Sequence, residues 1–280
     1  MRPIAIMTDS TCDLPSDWVQ RYDIRVVPTY IQFGTESYAD DGVQITRADF
    51  YRRIVNTPVY PTTSAPPLGQ TQAMMARALD DAEHVVAITA PAKLSSIYNT
   101  FRLAAASLDP QRVTLIDSTQ LSMGLGWQVL TAAEMAEAGA NVEAITAAVR
   151  AMQPHTHIWA ALDSIQSLRR SGRVGWAAAW LGDFFKIKPI IHLHDSEVHS
   201  ASRVRTTRRA FDTLVNLARE AAPFSHLAFL HTSNLAGAQR LSETLTELYP
   251  QRDVVTVEVT PVIGVHVGAN GLGLAVVRKP

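Results

Sequence analysis

The chain is short of cysteine: Cys12 is the only one in 280 residues. A single thiol excludes an intrachain disulfide and any multi-cysteine metal site, and it fits a reducing compartment. Net charge is equally scarce. Lys and Arg number 25 and Asp and Glu 26, a net of −1, so no global field recruits nucleic acid or an anionic membrane. Long apolar runs are missing too. The best candidate, residues 259–277, carries no Asp, Glu, Lys or Arg, but Pro261, His266, Asn270 and four glycines interrupt it. In lipid these would strand backbone polar groups. The spacing there predicts two strands around a glycine loop. The first seven residues are too short for a signal core and run straight into Asp9, so the expected location is cytoplasmic.

Several catalytic signatures are also absent. There is no Gly-Lys dipeptide for a phosphate loop and no G-x-S-x-G elbow. Gly124-Leu125-Gly126 lacks the third glycine of a dinucleotide turn, because position 129 is Val129. Among nine histidines, His155/His157 and His192/His194 are spaced to share a strand face. A metal could use such pairs, but no carboxylate or thiolate complement accompanies them, and half-exposed strand histidines are the plainer reading. No metal or cofactor is expected.

What is present is an ordinary globular composition, 47% hydrophobic and 18% charged, which argues against disorder. The length allows two domains, or one large α/β domain. In the first half, period-2 apolar runs at 4–7, 24–28, 29–33, 85–88 and 113–116 alternate with helical patterns at 15–22, 46–54, 68–80, 95–108, 121–138 and 142–152. A proline-punctuated loop fills 57–67. This alternation predicts a mainly parallel sheet with helices on both faces. The likeliest seam is Pro154-His155-Thr156-His157, which divides the chain into 1–157 and 158–280. Beyond it, strands at 158–162, 187–194, 226–230, 254–258 and 272–277 come in neighbouring pairs. Helices are predicted at 164–169, 176–185, 207–221 and 239–249. A second α/β domain with a mixed or antiparallel sheet follows.

Hydroxyl groups stand out. Thr8-Asp9-Ser10-Thr11 follows the first strand, at the carboxyl end of the sheet where open α/β folds bind ligands. Thr62-Thr63-Ser64 lies in the proline-fixed loop, and Ser95-Ser96 opens a helix after a strand. Serines and threonines there usually cap helices. Three clusters, with His266 set between Gly264 and Gly268, exceed what capping needs. Neutral donors converging on one point suit an anion, and no nucleophile–base pair is evident. Between residues 166 and 209, nine Arg and Lys face three acids. That stretch reads as a solvated helix face, or as a docking surface for an acidic or nucleotide-bearing partner. A nucleic-acid footprint fits poorly with the overall charge.

Eight segments in order resemble the DegV family of bacterial fatty-acid-binding proteins. They are Met7-Thr8-Asp9-Ser10-Thr11, Pro61-Thr62-Thr63-Ser64-Ala65-Pro66, Leu94-Ser95-Ser96-Ile97-Tyr98, Ile116-Asp117-Ser118, Ser171-Gly172-Arg173-Val174, Lys186-Ile187-Lys188-Pro189, Val204-Arg205-Thr206 and Gly264-Val265-His266-Val267-Gly268. The resemblance implies a two-domain α/β protein holding one long-chain fatty acid in an interior tunnel between or beside the domains. Some members of the family are the acyl-binding subunit of a fatty acid kinase. They present the carboxylate to a separate ATP-using subunit that makes acyl phosphate for phospholipid synthesis, and are not themselves catalytic.

Carried over by position, Thr62 and Ser95 would hold the carboxylate and His266 would complete the network, with Thr63, Ser64 and Ser96 beside them. Arg173 and Arg205 would face the kinase or the phosphate. Two motifs depart from the family pattern. Ala65 stands where Gln is usual, and Ser96-Ile97 replaces a glycine followed by a hydroxyl residue. The competing expectation is an enzyme acting on acyl or phosphate esters, with Asp9 or His266 as its general base. A DNA-binding regulator would rest on the basic stretch alone.

Overall fold

The computed structural model describes residues 2–173, 175 and 187–279. In chain order, the first part runs β1 (Arg2–Asp9), α1 (Ser16–Arg21), β2 (Arg25–Val27), β3 (Tyr30–Phe33), β4 (Glu36–Ala39), α2 (Arg47–Ile54) and β5 (Thr62–Ser64). It continues with α3 (Leu68–Asp81), β6 (Ala82–Thr89), α4 (Ile97–Ala105), β7 (Val113–Asp117), α5 (Ser122–Glu137) and α6 (Val142–Met152). Then come β8 (Thr156–Ala161), α7 (Gln166–Arg170), β9 (Lys188–His194), β10 (Glu197–Val204), α8 (Thr207–Ala221) and β11 (Phe224–His231). The chain closes with α9 (Leu235–Thr244), β12 (Val255–Glu258), α10 (Pro261–Val267) and β13 (Leu272–Arg278). The helix expected at 176–185 and the motif residues Val174 and Lys186 lie outside the described residues.

Three sheets result. The first, in order β2-β1-β6-β7, is wholly parallel. Alternation along β1 sends Ile4 and Ile6 towards α5, and Ala5 and Met7 into the core under α3 and α4. Helices therefore cover both faces, as the alternating pattern predicts. The second sheet, β10-β9-β8-β13-β11-β12, is mixed: its pairs are antiparallel except β11 with β12. One face packs on α8 and α9 through Trp159, Leu274 and Val276. The other turns Ile158, Leu193 and Ala275 towards α5. Helix α5 is thus clamped between two sheets, and residues 122–130 are all buried, which is why this stretch is apolar all round. The third sheet, β4-β3-β5, is antiparallel and small.

The structure corrects several expectations. Residues 259–277 are not two strands around a loop, because 261–267 form α10. Pro261 occupies the first helical turn, where its missing N–H costs nothing. Gly268, at φ +78, ends the helix. Val262 and Val265 join the cluster of Phe50, Tyr51 and Ile31, while Ile263, His266 and Val267 face a cavity on the other side. Burial on two sides removed the helical period from the sequence. Gly264 has no alternative here: a Cβ would meet Phe50 and Tyr51 at 2.7 Å.

Within the proline loop, 62–64 is a strand recruited by β3. His155 lies in a 3-10 turn (Gln153–His155), not on a strand face with His157. The last predicted helix starts earlier, at Leu235, because Asn234 caps it by accepting from Gly237 N. The sequence patterns also missed β4 and β10.

Candidate functional site

Strand β1 has β2 on one side and β6 on the other, so the chain reverses direction across the sheet at β1 and β6. Open α/β sheets form their binding crevice at that point, off the carboxyl ends of the strands. The structure places the first hydroxyl cluster there. Asp9 is fully buried and acts as a strut. Its Oδ1 accepts from Thr11 N at 2.9 Å and Thr11 Oγ1 at 2.6 Å, and its Oδ2 from Ala90 N at 2.8 Å across the strand gap. Burial raises its pKa, and these bonds oppose that rise. With both oxygens engaged, and no place on the walls of the neighbouring cavity, Asp9 is not positioned as a general base.

That cavity is a hydroxyl-rich cup. Thr11 forms part of its base, Thr63 and Ser64 one rim, and Ser95 and Ser96 another; Arg173 and His266 also line it. Thr63 faces α10 and shares a hydrogen bond of 3.2 Å with His266 Nε2. Ser95 Oγ accepts from Ile97 N at 3.3 Å, so it supports the first turn of α4 while lining the cup. Burial pushes the His266 imidazole down to about 4, helped by the Arg173 charge. His266 is therefore neutral at pH 7, able to donate from one ring nitrogen and accept at the other. Arg173, half-buried, donates from Nη1 to Ser171 O at 3.2 Å.

Two expected residues stand elsewhere. Thr62 is exposed on β5 and does not line the cup. Thr63 makes the bond to His266, and Thr62, one residue earlier on β5, does not reach the cup walls. Arg205 is exposed in the turn between β10 and α8, also off the cup walls.

An apolar cavity adjoins the cup and shares Leu121, Ile263 and His266 with it. Its floor is the inner face of the mixed sheet, where Ala160 of β8 sits opposite Gly273 of β13 and Ile191 of β9. Two small residues side by side leave the floor low. Gly273 is required, because a Cβ there would meet Trp159 O at 2.8 Å. Three polar side chains along the walls make hydrogen bonds to other partners. Ser122 Oγ donates to Asp13 at 2.5 Å, Thr232 Oγ1 accepts from Gly271 N at 2.7 Å, and His231 Nδ1 accepts from Asn234 N at 3.3 Å. What remains is an apolar cavity with His266 on its boundary with the cup.

Motif reading located the cup but missed its base, Thr11, and the tunnel floor. Thr11 sits in the flagged hydroxyl cluster, and the small residues at 160 and 273 fall on the inward phase of their strands. The latter signal exists only once strand pairing is known.

Among the described residues, no group of three or more His, Cys, Asp or Glu side chains is arranged to hold a metal ion. No described helix is long and apolar enough to cross a membrane.

The family model described as "Uncharacterised protein, DegV family" matches residues 3–279. The chain belongs to the DegV family. A DegV domain-containing protein of Deinococcus radiodurans is 31% identical over 278 residues, covering 97% of both chains. Another, from Mycobacterium tuberculosis, is 31% identical over 282 residues, covering 98% of this chain and 96% of the relative. Among solved structures, a fatty-acid-binding DegV family protein from Thermus thermophilus superposes over the full length of both chains with a TM-score of 0.91 at 30% identity. DegV of Bacillus subtilis, described as a fatty acid binding protein, superposes equally completely with a TM-score of 0.88 at 25% identity.

Proposed function

We propose that this DegV protein binds one long-chain fatty acid, with the hydrocarbon in the apolar tunnel and the carboxylate in the hydroxyl cup. The observation that carries this reading is the position of His266, shared by a hydroxyl-rich cup and an apolar cavity. Each buried methylene contributes about 0.8 kcal/mol, so a chain of ten or more dominates affinity. The cup then has only to keep the carboxylate from being stranded, which Thr63, Ser64, Ser95, Ser96 and the His266 imidazole are placed to do.

The finer reading is that the protein presents this carboxylate to a separate ATP-using kinase subunit, which forms the acyl phosphate. A carboxylate held mainly by hydroxyls keeps its nucleophilic oxygen available, which suits that role. Arg173, half-buried on the cup wall, would meet an incoming phosphate, and Arg205 would belong to the outer docking face. In this scheme 1–157 and 158–280 form the two domains that flank the ligand. In this reading the partner kinase carries the phosphoryl transfer, and the protein works in the cytoplasm.

Denaturing mass spectrometry of the purified protein tests the binding reading. One fatty acid per chain is expected; a lipid-free protein that also refuses added palmitate and oleate overturns it. His266→Ala and Ser95→Ala should each impair acyl-phosphate formation with a partner kinase. Hydrolysis of p-nitrophenyl palmitate by the isolated chain would instead move the Thr63–His266 pair into catalysis.

A further inference from the structure

The back of the tunnel wall carries a feature that fatty-acid binding does not use. On β8 and β9, Ile158, Ile191 and Leu193 turn inward to the tunnel, and so does Val198 of β10. The residues alternating with them turn outward, and they are histidines: His157 beside Ile158, and His192 and His194 either side of Leu193. His157 Nδ1 and His192 Nε2 share one hydrogen bond of 3.0 Å. His194 stacks on His157 with ring centroids 4.3 Å apart, and its Nδ1 donates to Thr156 O at 3.1 Å. Trp159 closes the group, 5.2 Å from His192 and 5.5 Å from His157 between centroids.

We propose that this imidazole ladder makes the tunnel wall acid-labile, so that protonation loosens β8, β9 and β10 and releases the bound acyl chain. The proposal rests on the fatty-acid reading and adds its regulation. The 3.0 Å contact needs a donor on one ring and a lone pair on the other. With both rings protonated, two N–H groups oppose each other and two positive charges stand with ring centres 5.2 Å apart. Strand pairing joins the ladder rigidly to the tunnel floor, since Ile158 pairs with Leu193, and Leu193 with Val198.

The surroundings offer little compensation for positive charge. Around His157 stand His155 from the preceding turn, His192, His194 and Arg278 of β13, all basic. Across β10, His199 pairs in register with His192 and lies 3.4 Å from Glu197, whose other oxygen meets Lys93 at 3.3 Å. Helix α8 keeps Arg208, Arg209, Asp212, Arg219 and Glu220 in solvent, and Asp195 sits in the exposed β9–β10 turn. Burial first, then these neighbours, push His157 down to about 3 and His192 to about 4. A histidine freed into water titrates near 6.5. The closed wall is therefore fully stabilised above that pH and loses stability as pH falls towards the depressed values. Each such imidazole favours opening about tenfold per pH unit below 6.5, and two together give about a hundredfold at pH 5.5.

Two measurements test this, on wild type and on His192→Gln and His157→Gln/His192→Gln. The first is hydrogen exchange of residues 156–161 and 188–204 in lipid-free protein, corrected for the intrinsic pH dependence of exchange. Opening should rise about a hundredfold between pH 7.5 and 5.5 in wild type and far less in the double variant. The second is retention of radiolabelled oleate over the same range: wild type should release it, and the variants should hold it. Exchange that ignores pH, or equal release from wild type and double variant, overturns the proposal. Failure to take up oleate at pH 7.5 would instead overturn the fatty-acid reading, with the exchange experiment still deciding whether the ladder is a switch.

Discussion

Thr260 donates its hydroxyl to Asp40 Oδ2 at 2.6 Å, although 220 residues separate them in the chain. Its backbone N–H donates to Asp13 at 2.8 Å, and Asp13 also takes Ser122 and Arg47. Two buried carboxylates therefore fix the start of α10, and with it the position of His266. Tyr51 and Tyr60 add hydroxyl bonds to Val259 O and Val265 O, at 2.9 and 2.8 Å.

This clamp has its own pH dependence. Burial raises Asp40 to about 7 and Asp13 to about 6. A carboxyl whose folded pKa lies above its unfolded value stabilises the fold most below the unfolded value, and that contribution is lost as pH rises through the folded one. Wild type should lose stability from this site between about pH 4 and 8. Asp40→Asn keeps an acceptor for Thr260 but does not ionise, so its Tm should fall less than that of wild type between pH 5 and 8. Thermal unfolding at the two pH values checks this, and an unchanged slope would remove Asp40 as its source.

Thr63 and Thr62 are adjacent yet should behave differently. Thr63→Val removes the partner of His266 and should weaken palmitate binding about tenfold, the worth of one net hydrogen bond near 1 to 1.5 kcal/mol. Thr62→Val, on the exposed face, should stay within about twofold, as surface substitutions usually do. Competition against a fluorescent fatty acid separates the two; equal losses would show that the cup is not where β5 places it.

Ala160 is the low point of the tunnel floor. Ala160→Phe should fill the space beside Gly273 and abolish co-purifying lipid, while costing roughly 1–3 kcal/mol of stability through overpacking. Mass spectrometry with a melting curve reads both effects. A folded variant that still carries a full-length fatty acid would relocate the hydrocarbon.

Ordered hydroxyl motifs made the cup legible in the sequence, and strand–helix alternation made the parallel sheet legible. Thr46, which accepts from the N–H three residues on, marked a helix start where the pattern placed it. Helix α10 was hidden because both of its sides are buried, which erases the 3.6-residue period. Strand β5 was hidden because its three residues extend only when β3 offers an edge, a tertiary effect. The choice between Thr62 and Thr63 turned on which of them the β3–β5 pairing brings to His266, and motif matching carries no such information. The tunnel floor was hidden for a related reason: Ala160 and Gly273 are 113 positions apart and become neighbours only through sheet register.

The apolar tunnel also bears on how the protein persists between ligands. Empty, it is a gap in the middle of the hydrophobic core, and unfilled core volume lowers stability. An occupant that binds only the folded state restores the deficit by mass action. On the proposed fatty-acid reading, the ligand would serve as the last piece of the interior, and the melting temperature of the protein would become a gauge of lipid supply.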